Sequence, residues 1–197
     1  CGRIRRYKRT SRATETKRGM SMDLLKALLE DGIIKVRDPE EPPYKLKSGV
    51  ESWVFIDIKQ ACLDPELLRG IVSLIDRMGR YEIDRIASIV LGGVPLATAL
   101  TLLWNKKQVI IRPETHDHGL EQKIVGDCKG LRCLLIEDVA TSGGTIINAV
   151  QAIRGAGGVC NEVIVVVDRE EGAKELCREY GVILYSCFKK SEFTNIK

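Results

Sequence analysis

Between residues 84 and 188 the chain alternates uninterrupted apolar runs with segments of helical pattern. The runs are "DRIASIVLGG" (84–93), "QVIIR" (108–112), "LRCLLIED" (131–138), "NEVIVVVDR" (161–169) and "VILYSCF" (182–188). Between them stand "VPLATALTLLWNK" (94–106), "GGTIINAVQAIRGAGG" (143–158) and "EGAKELCREYG" (171–181), each of helical character. Strand–helix–strand repetition requires crossover connections, which are right-handed, and so a mainly parallel sheet. The runs do not alternate apolar with polar, as expected of strands covered on both faces. The fold class is therefore α/β, a central mainly parallel sheet flanked by helices.

Ahead of this region, "MDLLKALLEDG" (22–32) reads as a short amphipathic helix stopped by Gly32. Residues 40–60 read as extended, because Pro42 and Pro43 break any helix and "WVFIDI" is rich in β-formers. "DPELLRGIVSLIDRMGRY" (64–81) reads as a helix with Asp64 as N-cap and Pro65 in its first turn. "PETHDHGLEQ" (113–122) is polar and aperiodic, hence a loop, and "KIVGD" (123–127) a short strand.

A chain of 197 residues suffices for one domain with a small appendage. Residues 1–18 carry eight Arg or Lys against one Glu, and the remainder 23 basic against 26 acidic residues. The basic character thus belongs to a tail, and residues 1–21 are expected to be a disordered extension, with the natural start at Met20 or Met22. Such a tail suits nucleic acid or anionic lipid, or a transit peptide. No run approaches the roughly 18–20 apolar residues of a membrane span, and no secretory signal core is present. The seven cysteines form no CxxC pair or Cys/His cluster. They read as reduced, mostly packed thiols of a cytoplasmic protein.

The chemistry concentrates in "LLIEDVATSGGTI" (134–146). Ligands of open parallel sheets bind beyond the carboxyl ends of the strands, and Glu137 and Asp138 fall at such an end. Gly143 and Gly144 then open a helix, whose free N–H groups and dipole favour an anion. Thr141 and Ser142 add hydroxyl donors. Two carboxylates repel a phosphate but suit hydroxyl groups a few ångströms away. Diol at one end and phosphate at the other describe a ribose 5-phosphate. An acidic strand end followed by a helix cap is the plainer alternative. The spacing fits neither a P-loop nor a GxGxxG turn.

Residues 134–146 resemble the phosphoribosyl-pyrophosphate signature of the type I phosphoribosyltransferases. "LKSGVES" (46–52), "LGGVPLA" (91–97), "RPETHDHG" (112–119) and "VVVDREEG" (165–172) are similar to elements of the orotate phosphoribosyltransferases, so the likeness spans most of residues 22–188. It implies that family's fold, with 22–197 as the phosphoribosyltransferase domain, 22–62 as a small N-terminal hood and base-binding segment, and 63–190 as the core. It implies transfer of phosphoribosyl from phosphoribosyl pyrophosphate to orotate, giving orotidine 5′-monophosphate and pyrophosphate in de novo UMP synthesis. Magnesium would be held mainly by the substrate, with no direct protein ligand. A homodimer sharing its active-site loop is implied, with no membrane or nucleic-acid partner.

By the same resemblance Glu137 and Asp138 hold the ribose hydroxyls. Residues Val139, Ala140, Thr141, Ser142, Gly143, Gly144 and Thr145 surround the donor's phosphate end. Arg112 also contacts the donor, and Gly92 and Gly93 let backbone N–H groups approach pyrophosphate. Lys47, Thr141 and Arg169 meet orotate, Arg169 with a two-pronged bond to its carboxylate. His118 contacts pyrophosphate. Pro113 and His116 stand where the family usually has lysines, and His116 replaces a lysine only when protonated, partially so near neutrality given a reference pKa of about 6.5. Two other readings stay open. One is a non-catalytic member of the fold that senses phosphoribosyl pyrophosphate or a nucleotide, although residues 1–45 offer one clear helix and no helix-turn-helix. The other is a purine-type phosphoribosyltransferase.

Overall fold

The structure, a computed structural model, describes residues 11–38, 40–45, 49, 51–79, 82–112 and 124–194. Its first element, α1 (Ser11–Glu30), begins well before the helix expected over 22–32. The Arg, Ala, Glu and Lys of 11–18 are good helix formers. Residues 11–21 of the basic extension thus fall within α1; residues 1–10 lie outside the described residues. Leu25 and Leu28 anchor α1 in the core, and Gly32 ends the turn after it at φ +66°.

Four short strands follow: β1 (Ile34–Val36), β2 (Tyr44–Lys45), β3 (Glu51–Ser52) and β4 (Val54–Ile56). β1 pairs antiparallel with β4, Ile34 opposite Ile56, and β2 pairs with β3. The extended stretch stops sooner than its β-formers indicate, because Ile58–Ala61 form a one-turn helix, α2, seated by the buried Ile58 and Ala61. Helix α3 (Pro65–Arg77) starts as expected. The Asp64 carboxylate accepts from the N–H groups of Glu66 at 2.7 Å and Leu67 at 3.0 Å.

The remaining elements alternate: β5 (Arg85–Ile89), α4 (Gly93–Trp104), β6 (Lys107–Ile111), β7 (Ile124–Val125), β8 (Arg132–Ala140), α5 (Gly144–Gly155), β9 (Val159–Asp168), α6 (Ala173–Glu179), β10 (Ile183–Lys189) and α7 (Lys190–Thr194). Among the described residues one sheet runs β10-β9-β8-β5-β6-β7, parallel throughout except for β7, which pairs antiparallel with β6.

Each central strand feeds two cores. Leu134, Ile136, Ile164 and Val166 face α1, α3 and α4, whereas Leu135, Val163 and Val165 face α5 and α6. Two-sided burial is the physical reason for the continuous apolar runs. Cys128, Cys133, Cys160 and Cys177 are packed in the second core, and the six cysteines among the described residues are free thiols. No helix among the described residues is long and apolar enough to cross a membrane.

The strand order sets the position of the site. From β5 the chain moves outward to β6, and from β8 it moves the other way, to β9 and β10. β5 and β8 are neighbours, so their carboxyl ends flank a crevice where successive connections diverge.

Candidate active site

That crevice holds a cavity of about 400 Å³. One wall is the turn after β5, including Leu91 and Gly92. The opposite wall is the end of β8 and the start of α5, including Glu137, Asp138, Thr141, Gly143 and Thr145. Val139 and Ala140 also line it. Ser142 and Gly144 are exposed beside it, and the first-turn N–H groups of α5 lack intrahelical acceptors as in any helix.

Glu137 and Asp138 were expected to finish their strand, but β8 continues to Ala140, because Val139 and Ala140 still pair with Val167 and Asp168 of β9. The two acids are therefore held in a sheet, 7% and 8% exposed. Glu137 accepts from the Asp138 N–H at 2.9 Å, and Asp138 from the Val139 N–H at 2.8 Å. The second oxygen of Asp138 accepts from Lys59 Nζ at 3.2 Å, and Lys59 also lies 3.3 Å from Asp57. Glu137 Oε2 is buried without a protein partner.

These surroundings divide the pair. Burial, then the adjacent Asp138, push the Glu137 carboxyl up to about 9, so it keeps its proton near neutrality. Burial alone would raise Asp138 too. The hydrogen bond shared with Glu137 and the Lys59 charge outweigh it and hold Asp138 below its ordinary value. Lys59 is lowered by burial and raised by more through Asp138 and Asp57. The pair thus presents one carboxylic acid and one carboxylate, a donor and an acceptor for neighbouring hydroxyls.

Two glycines make this packing possible. Gly92 has φ −65° and ψ −37°, a conformation open to any residue, but a Cβ there would overlap the Asp138 carboxylate. At Gly93 a Cβ would strike the Ile136 carbonyl. Both are thus required by the close passage of the turn over β8, beside any role toward a ligand. Gly143, at φ +87° and against Ala173, turns the chain into α5, whereas Gly144 faces open space.

Arg169 follows β9 and is 5% exposed. Its Nε donates to Glu171 at 2.9 Å and its Nη2 to Ser52 Oγ at 3.2 Å, so the guanidinium links the carboxyl end of β9 to β3. It is not part of the cavity wall described above. Arg112 is exposed after β6. Lys47, His116 and His118, with Pro113, lie outside the described residues.

Lys59 and Ser52 are the site residues that the sequence did not disclose. Their partners stand 79 and 117 positions away, and nothing in "ESWVFIDIKQ" points across such distances.

The phosphoribosyl transferase domain model matches residues 63–184, and the chain belongs to that family. Its relatives narrow the class. The chain is 43% identical to the orotate phosphoribosyltransferase of Methanocorpusculum labreanum, over 82% of this chain and 95% of that one. It is 37% identical to that of Methanospirillum hungatei, over 87% and 99%. The crystal structure of the Aeropyrum pernix orotate phosphoribosyltransferase superposes with a TM-score of 0.76 at 29% identity, covering 86% of this chain and 94% of that chain. These likenesses put the chain among the orotate phosphoribosyltransferases.

Proposed function

We propose that the chain transfers phosphoribosyl from phosphoribosyl pyrophosphate to N1 of orotate, giving orotidine 5′-monophosphate and pyrophosphate in de novo pyrimidine synthesis. The observation that carries this reading is an acid–carboxylate pair and a helix N-terminus set side by side along one wall of a cavity at the sheet's switch point.

The α5 N-terminus, with Thr141, Ser142, Gly143, Gly144 and Thr145, receives the 5-phosphate through N–H and hydroxyl donors. Asp138 accepts from one ribose hydroxyl, and Glu137, whose Oε2 has no protein partner, engages the other. As the C1–O bond to pyrophosphate breaks and the C1–N1 bond forms, positive charge develops on the sugar, and the ionised Asp138 stabilises it. No side chain becomes covalently attached. The turn at Gly92 and Gly93, Arg112 and the histidines His116 and His118 belong to the pyrophosphate side. Lys47, Thr141 and Arg169 belong to the orotate side, where Arg169 enters already oriented by Ser52 and Glu171.

The site fits magnesium: the ion would be held mainly by the donor's own oxygens and water, with the ionised Asp138 close by in the same cavity. The ion, when bound, neutralises charge on the leaving pyrophosphate. The working molecule is proposed to be a cytoplasmic homodimer with a shared loop, in which residues 22–62 cover the core.

The test is loss of orotate absorbance on mixing the protein with magnesium, phosphoribosyl pyrophosphate and orotate. Turnover with orotate but not with hypoxanthine or adenine is expected. Donor binding without turnover would instead indicate a sensor of phosphoribosyl pyrophosphate.

A further inference from the structure

Lys59 is the one cationic residue among the described residues lining the cavity. Its backbone is fixed, since Ile58 and Ala61 on either side are completely buried. Its side chain is 47% exposed, and its ammonium reaches Asp138 at 3.2 Å and Asp57 at 3.3 Å. An ammonium has three N–H donors; Asp138 takes one and the ion-paired Asp57 faces a second, leaving the third for a ligand. The Asp138 oxygen that Lys59 meets, Oδ2, is also the oxygen that crowds Gly92. Lys59 thus stands where the carboxylate meets the turn after β5.

A polyanion entering a cavity that already holds an ionised carboxylate needs a compensating charge nearby. From this placement we propose that Lys59 is a substrate-binding residue for the pyrophosphoryl end of the donor, donating its third N–H to a pyrophosphate oxygen while keeping Asp138. The inference rests on the cavity being the phosphoribosyl pyrophosphate site. It adds to that reading a cation from the N-terminal segment, separate from the loop 113–122.

Titration calorimetry with magnesium pyrophosphate and, separately, with ribose 5-phosphate divides the two ends of the donor. Wild type, Lys59→Gln and Lys59→Arg are compared, with thermal melts to verify folding, which the half-exposed position favours. In Lys59→Gln, pyrophosphate affinity is expected to fall roughly ten- to a hundredfold, the loss of one charge-assisted hydrogen bond, with ribose 5-phosphate affinity within about twofold of wild type. Lys59→Arg should recover most of the loss. Unchanged pyrophosphate affinity in Lys59→Gln overturns the proposal. So does an equal loss for ribose 5-phosphate, which would mean that Lys59 acts only through Asp138. Wild type that binds neither ligand and does not turn over orotate would overturn the reading of the cavity itself, a different result from either.

Discussion

Replacement of Gly92 by alanine isolates the geometry on which the site depends. The backbone at Gly92 is in the ordinary helical region, so alanine brings no conformational penalty, and its whole effect is the added methyl. That Cβ would lie 2.7 Å from Asp138 Oδ1 and nearer still to Cγ and Oδ2, where ordinary contact begins at 3.4 Å. The carboxylate must therefore retreat by at least about 0.7 Å, and by more on its Oδ2 side. The Val139 N–H bond, now 2.8 Å, would then be stretched to about the 3.5 Å at which a hydrogen bond ends, and the 3.2 Å bond from Lys59 would go with it. Hydrogen bonds to a charged group contribute about 1.5–3 kcal/mol each, with the half-exposed Lys59 bond at or below the low end. Gly92→Ala should thus cost about 2–4 kcal/mol in urea unfolding and depress turnover through a misplaced Asp138. In an Asp138→Ala background the clash is gone, and the same substitution should cost under about 0.5 kcal/mol. Wild-type stability and wild-type donor KM in the single variant, or an undiminished cost in the double variant, would refute the reasoning.

Glu137→Gln should stabilise the free protein increasingly as pH rises. The folded carboxyl titrates at about 9 and the unfolded one near the usual 4.5, so the wild type loses stability across that window, while glutamine does not titrate. Denaturant midpoints at pH 5, 7 and 9 should show a widening gap in favour of Gln, no steeper than about 1.4 kcal/mol per pH unit, and parallel profiles would refute it. The α5 glycines should separate: Gly143→Ala, at positive φ and against Ala173, should lower the melting temperature, whereas Gly144→Ala, in open space, should hold or raise stability by up to about 1 kcal/mol. A lowered ribose 5-phosphate affinity in Gly144→Ala, read by calorimetry, would then come from the phosphate contact alone.

The elements that the sequence displayed well are those whose burial is periodic or complete. β8 and β9 are apolar because both faces are covered, and α3 announces itself through Asp64 and Pro65. Ends were less legible, since they depend on partners: β8 runs on through Glu137 and Asp138 because β9 continues alongside. The start of α1 was hidden because helix formers occupy a stretch whose charge suggested a tail. The antiparallel direction of β7 leaves no trace in two residues. Within the site, the acids, hydroxyls and glycines of 137–145 are contiguous and so could be read together. Lys59 and Ser52 meet their partners only through the tertiary fold, and the burial of Arg169 follows from those contacts rather than from "VVVDREEG".

Those two long-range contacts have a common origin. Ser52 ends β3 and Lys59 is the second residue of α2, with β4 between them, and they touch Arg169 after β9 and Asp138 in β8. β8 and β9 are adjacent and in register to Ala140 and Asp168, so one short segment grips two neighbouring strand ends through charged side chains. In the proposed reaction those side chains serve different substrates, Asp138 the sugar donor and Arg169 the base. The apolar anchors Val54 and Ile58 fix the segment between the two grips, and a rigid strut of this kind transmits displacement rather than absorbing it. One piece of chain therefore braces both Asp138 and Arg169, the residues proposed for donor and base.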